Sequence, residues 1–165
     1  MNQKHKMPID IGSVGTLASP FELDIDIDVI SIEEVIWRLL TNNQDIASLA
    51  DKRVYPNVIT AKVEVPAITY QVIATVRGHT MSGPDGLTMK RVQINCWATH
   101  YAIVNRLARF VRVLLDGFKG TVGGRVISCV LLDNEGDMPE MMAESSLNRY
   151  GRYLDFLVWY QESIT

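Results

Sequence analysis

Asp24, Asp26 and Asp28 are the first residues of the chain whose type and spacing could do chemistry. An Asp-x-Asp-x-Asp run opens a calcium loop, where short carboxylates converge on one hard cation. The rest of such a loop is absent, since the sixth place is Val29 rather than glycine and Val35 stands where a bidentate glutamate is needed. Leu23, Ile25 and Ile27 alternate with the aspartates, a period of two that reads as a strand with one apolar and one acidic side. A row of like charges suits a sheet edge or a strand docked on a partner.

The histidines, His5, His79 and His100, fall in an N-terminal arm, a glycine-rich loop and a helix start. A general base needs a proton donor within hydrogen-bond reach and a third group to orient it, and no local signature supplies either. No G-x-S-x-G elbow is present. Gly117, Gly120, Gly123 and Gly124 lie between a helix and a strand, whereas a phosphate cradle joins a strand to a helix N-terminus. Cys96 and Cys129 sit inside apolar runs and read as buried reduced thiols, and no Cys/His cluster has zinc spacing. The residues therefore point away from catalysis, cofactors and metals.

Charged residues offer a different use. Arg106, Arg109 and Arg112 recur every three positions on a helix, beside its apolar stripe. A solvated face is the default reading of this spacing, a contact with an acidic neighbour, such as another copy of the chain, is the alternative, and direct nucleic-acid contact is a third that the overall acidity disfavours. Asp133, Glu135, Asp137, Glu140 and Glu144 form an acidic stretch of complementary sign. The net charge of −3 argues against a dedicated nucleic-acid binder, which needs clustered lysine and arginine. The C-terminal aromatics Tyr153, Phe156, Trp159 and Tyr160 lack the interleaved basic residues of a base-stacking platform and read as core.

The elements that must position these groups follow from periodicity. With 165 residues, 47% of them hydrophobic, the chain can bury one core without staples. Residues 1–30 read as an extended arm. Its opening, MNQKHKMPID, has no apolar signal region, so the protein is expected in the cytosol where it is made, with no membrane partner. Ser31 and Glu34 form a capping box ahead of Ile32, Val35, Ile36, Leu39 and Leu40. A short helical turn over 45–49 precedes the extended Arg53-Val54-Tyr55-Pro56. Strands over 66–77 and 87–98 make a long hairpin with a glycine-rich loop, Gly78 to Gly86, at its tip. A second helix, capped by Thr99, runs to Leu115 and turns Ile103, Leu107, Phe110, Val111 and Leu114 inward. Strands over 125–132 and 150–161 flank a loop from Asp133 to Ser146. The sum is a single α+β domain over 31–165, with two main helices on a mainly antiparallel, four-stranded sheet.

The ordered segments together resemble the tail-completion, or tail-terminator, proteins of long-tailed bacteriophages and gene-transfer particles. The resemblance runs from Ser31 to Glu162. It rests on Glu33-Glu34-Val35-Ile36 with Arg38-Leu39-Leu40, Arg53-Val54-Tyr55-Pro56, Pro66-Ala67-Ile68-Thr69-Tyr70-Gln71 and Gly83-Pro84-Asp85-Gly86-Leu87. It continues through Arg91-Val92-Gln93-Ile94-Asn95-Cys96-Trp97, Asp116-Gly117-Phe118 with Gly120-Thr121, and Leu154 to Tyr160. The resemblance implies a non-enzymatic ring of six copies, without cofactor or metal, in the neck of the virion. The ring would end the tail tube, meet the tube protein on one side and the head connector or stopper proteins on the other, and pass genomic DNA through its lumen without specific binding. The expected contacts are His79, Met81, Pro84 and Asp85 in the hairpin loop, the arginine row, Asp133, Glu135 and Asp137, and Leu23, Ile25 and Ile27 of the arm. Residues 1–30 depart from the family pattern as an addition. A head-closure or adaptor ring is the nearest alternative reading, and a small-ligand-binding regulatory domain the next.

Overall fold

A computed structural model describes residues 29–57, 63–138 and 149–162. The arm with Leu23, Ile25 and Ile27, and the acidic residues 140 and 144, lie outside the described residues. Helix α1 spans Ile32–Asn42 and α2 spans Gln44–Ala50; strand β1 follows at Val54–Pro56. The hairpin is β2, Ala67–Thr80, and β3, Gly83–Ala98. Helix α3 covers Tyr101–Leu115, and β4 (Gly120–Val122), β5 (Arg125–Met138) and β6 (Tyr150–Gln161) complete the order. The strands form one six-stranded sheet, β1-β2-β3-β6-β5-β4, in which only the β1–β2 pair is parallel.

The α+β class stands, and the strand number is corrected from four to six. Strands β1 and β4 have three residues each, too few to display a period of two. The expected loop from Asp133 is also corrected, because β5 continues to Met138. This half of β5 is polar on both faces and shows no apolar alternation. It pairs because β6 offers a full-length template, and a bulge between Leu132 and Asn134 sets its side chains opposite basic partners.

Helix starts and stops follow local chemistry. Ser31 caps α1 by accepting from the Glu34 N–H at 3.2 Å. The return half of the expected capping box is not made: the Glu34 carboxylate instead accepts from Arg38 one turn on, at 2.6 Å. Asn43 ends α1 and its side chain caps α2, accepting from the Ile46 N–H at 3.0 Å. At α3 the cap position is His100, not Thr99, and no side chain bonds there. Gly117, in the left-handed region at φ 81°, turns the chain out of α3.

Even-numbered residues of β6 point under the helices. Leu154, Phe156, Val158 and Tyr160 are buried with Val92, Ile94 and Cys96 of β3 and Ile68 and Tyr70 of β2. The helices close this layer with Ile32, Val35, Ile36 and Leu40 from α1, and Val104, Leu107, Ala108, Val111 and Leu115 from α3. Phe110, Leu114 and Ile103, expected inside, are only half-buried. The apolar residues of α3 cover more than one face, so the sequence alone does not fix its rotation.

A buried-edge ion pair ties α1 to the sheet. The Lys90 ammonium donates to Glu33 at 2.8 Å. Burial opposes the Glu33 charge, but the hydrogen bond from Lys90 and its positive field outweigh it, and the carboxyl sits below its ordinary 4.5. A depressed carboxyl stabilises the fold above the unfolded-state value and loses that contribution as pH falls through the folded one. The Glu33→Gln variant should therefore be less stable than the parent at pH 7 in urea unfolding. The gap should close as pH drops below 4.5; a gap that stays constant or widens in acid would contradict the pairing.

Candidate assembly surfaces

Among the described residues three helices cover one face of the sheet, and no helix lies on the other. Cross-strand register assembles the odd side chains of β6 with their neighbours there. One row is Val76, Met89, Trp159 and Cys129, and the next is Ala74, Arg91, Leu157 and Leu131. Val76 is 54% exposed and Leu131 46%, while Met89, Leu157, Trp159 and Cys129 are partly covered. The buried-thiol expectation thus holds for Cys96 alone, whose burial pushes its thiol up to about 12. This end of the face is an apolar patch.

The middle of the same face is polar and largely hydrogen-bonded within the chain, although the buried Asn95 Oδ1 has no partner among the described residues. Gln71 donates to Gln93 at 2.9 Å, and Gln93 to Asp155 at 3.0 Å. Arg91 pairs with Asp133 at 2.7 Å. Thr69 then accepts from the Trp97 indole at 3.2 Å. The face without a helix is therefore open at its Val76 and Leu131 end and buried at the other, where Ala67, Thr69, Asn95 and Trp97 are shut off from solvent.

The hairpin tip was expected as a nine-residue loop and is instead paired strand up to a two-residue turn. Thr80 faces Gly83, leaving Met81 and Ser82 at the apex. β6 pairs with β3 only from Leu87, so residues 78–86 project past the sheet as a two-stranded finger. At its base Glu162 accepts from Arg77 and from Thr88, each at 3.0 Å, and its N–H donates to the Gly86 carbonyl at 2.8 Å. The Arg77 bond holds the Glu162 carboxyl below its ordinary range. Asp85 folds back to accept from the Leu87 N–H at 2.9 Å and lies against Gly78, where a Cβ would collide with it. His79 and Pro84 face each other and are exposed; Met81 is fully exposed. The finger is stiffened from within and capped by an apolar side chain.

The sheet also has two bare edges. β1 covers β2 only through Tyr70, so residues 71–80 have β3 as their one strand partner among the described residues. On the far side β4 covers residues 125–127 of β5, Gly117 and Phe118 bond Val130, and Asp116 accepts from the Leu132 N–H. Beyond this point the outer edge of β5 carries no strand among the described residues.

The arginine row divides. Arg112 donates to Glu135 at 2.8 Å, and Arg152 lies 3.7 Å from the same carboxylate. Asp137 accepts from the Tyr101 hydroxyl at 2.8 Å. Asp133, Glu135 and Asp137 are thus engaged within the chain. Arg106 and Arg109 have no partner among the described residues. They line an open groove of about 860 Å³ with Asn43, Asn105, Phe110, Val113 and Leu114. Val113 is 74% exposed. Among the described residues no group of three or more His, Cys, Asp or Glu could hold a metal, and no helix is long and apolar enough to cross a membrane. The apolar patch and the bare edges are surfaces that strand-by-strand sequence reading missed; odd-position Leu157 and Trp159 were its visible trace.

No family model and no curated protein matches the chain. A solved structure does: one chain of the virion of a native gene transfer agent particle, with a TM-score of 0.56 and 13% identity. The chain shares its fold with a virion protein. The match covers 76% of this chain and 90% of that one, so the likeness takes in nearly the whole of the virion chain rather than a fragment. At this identity it speaks for the fold alone.

The two faces of β6 make a paired prediction. Phe156→Ala, under the helices, should lower unfolding free energy by about 3–4 kcal/mol. Leu157→Ala, on the uncovered face, should cost about 1 kcal/mol or less in dilute protein. Equal losses in urea titrations would mean that the second face is closed within the chain itself.

Proposed function

We propose that the chain is a non-enzymatic structural subunit of a phage-type particle, whose copies close into a ring of six in the neck. The ring terminates the tail tube and presents its other side to the head connector. The observation that carries this reading is the fold held in common with a virion chain over 90% of that chain's length. The free surfaces support it. Bare edges on opposite sides of one sheet allow the heterologous, head-to-tail contact that closes rings. The stiff finger ending in Met81 and the apolar patch around Leu157 and Trp159 are contact surfaces without occupants among the described residues.

Negative-stain electron microscopy of concentrated protein, alone and mixed with tail tubes, tests the reading. Closed rings, or tubes capped at one end, are expected. Met81→Glu, which alters a fully exposed side chain, should keep the parent's melting temperature while weakening ring formation or capping by about tenfold, ~1.4 kcal/mol. Protein that neither closes into rings nor caps tubes would overturn the proposal.

A further inference from the structure

The groove on α3 joins an apolar floor to charge that has no partner among the described residues. Val104, Leu107, Ala108, Val111 and Leu115 face the sheet, which turns Arg106, Phe110 and Val113 to the opposite side at i, i+4 and i+7. α3 is therefore amphipathic twice over, and its second stripe has no cover among the described residues. Such a strip selects a ligand with apolar groups in a row and carboxylates beside them.

The chain contains one segment of that composition. In residues 21–28, Phe-Glu-Leu-Asp-Ile-Asp-Ile-Asp, four carboxylates alternate with apolar side chains. Of the acidic stretch, Asp133, Glu135 and Asp137 are already engaged by Arg91, Arg112 and Tyr101, and Glu140 and Glu144 stand in a proline-broken sequence without the strict alternation of 21–28. Dimensions agree as well. From Arg106 to Leu114 the helix rises ~12 Å, and an extended chain from Leu23 to Ile27 covers ~13 Å. Long arginine stems can lie along the strand and set their guanidinium groups against carboxylates on its far side.

We propose that residues 21–28 of one copy dock as an extended strand in the α3 groove of a second copy, Leu23, Ile25 and Ile27 against Phe110, Val113 and Leu114, and the aspartates against Arg106 and Arg109. The source is a second copy because of where the arm departs. Ile30 is bonded to Gly123 at 3.3 Å and to Arg125 at 2.9 Å, beside the start of α1. The groove is walled by Asn43, at the other end of that helix. Doubling back along the ~16 Å of α1 would use about five residues, 25–29, and leave only 21–24 of the acidic segment for the groove of its own chain. The inference rests on the ring reading, for which it supplies a contact between neighbours.

Disulfide trapping in the full chain tests it. Ile25→Cys and Val113→Cys are placed in separate chains, each with Cys129→Ser; Cys96 is sealed in the core and stays silent. Mixing the two under mild oxidation should give a linked dimer of one chain of each kind. Arg106→Glu with Arg109→Glu in the Val113→Cys chain should reduce the yield by about tenfold, and Asp24→Lys, Asp26→Lys and Asp28→Lys in the other chain should restore part of it. No mixed dimer, a yield indifferent to charge reversal, or closure of a chain carrying both cysteines onto itself would each overturn the docking. Electron microscopy of the same samples separates the two proposals. Rings without the mixed link defeat the docking alone, and the link without rings defeats the ring while the contact stands.

Discussion

Burial of the sheet face beneath the helices is the constraint on which the rest of the molecule depends. Phe156 lies at its centre, fully buried, facing Val92 on one side and Leu132 on the other in the register of β3, β6 and β5. Side chains alternate with a period of two, so every residue that enters this core commits its neighbours to the opposite face. A slip of one residue in β6 would put Leu157 and Trp159 under the helices and Phe156 in their place, which fixes the register strongly. The helices available, α1, α2 and α3, suffice for one face. Among the described residues, the Leu157 end of the other face, the finger and two strand edges are left without cover.

Polar groups finish the margins of that core. Lys90 lies on the helix side of β3 and would be an uncompensated charge there without Glu33, which reaches it from the first turn of α1. At the other end Arg152 bonds Asn105 of α3 at 2.6 Å, and Glu135 joins Arg112 to the same cluster. The bulge in β5 is what makes both sides work: it sends Asp133 to Arg91 on the open face and Glu135 to Arg112 under the helix. Charge in this half of β5 is used for pairing strand to helix, which explains why so polar a stretch continues a sheet.

How much of this was legible depended on the length of each pattern. Strand β6 was readable to both its ends because it is a long run rich in aromatic and β-branched or aliphatic residues, and α1 because Ser31 marks its start and Asn42-Asn43 its end. Strands β1 and β4 were too short to declare themselves, and the acidic half of β5 had no apolar alternation to read. For α3 the helix was clear and its rotation was not, since Phe110, Val113 and Leu114 are as apolar as the residues that reach the core. That ambiguity in the sequence is the groove in the structure. Glycine and proline at 78–86 pointed to a turn but not to the strand pairing that carries the hairpin to Met81. Arg106 and Arg109 were visible as a basic row; their lack of partners became visible only when Glu135 was seen to take Arg112.

The proposed ring needs copies of the chain to close the surfaces left open among the described residues. Native mass spectrometry over a range of concentrations tests this most directly. The account predicts one discrete closed oligomer of six, with dimers to pentamers scarce because ring closure makes the last contact without a further loss of freedom. A monomer at every concentration, or an unbounded ladder of oligomers, would contradict it.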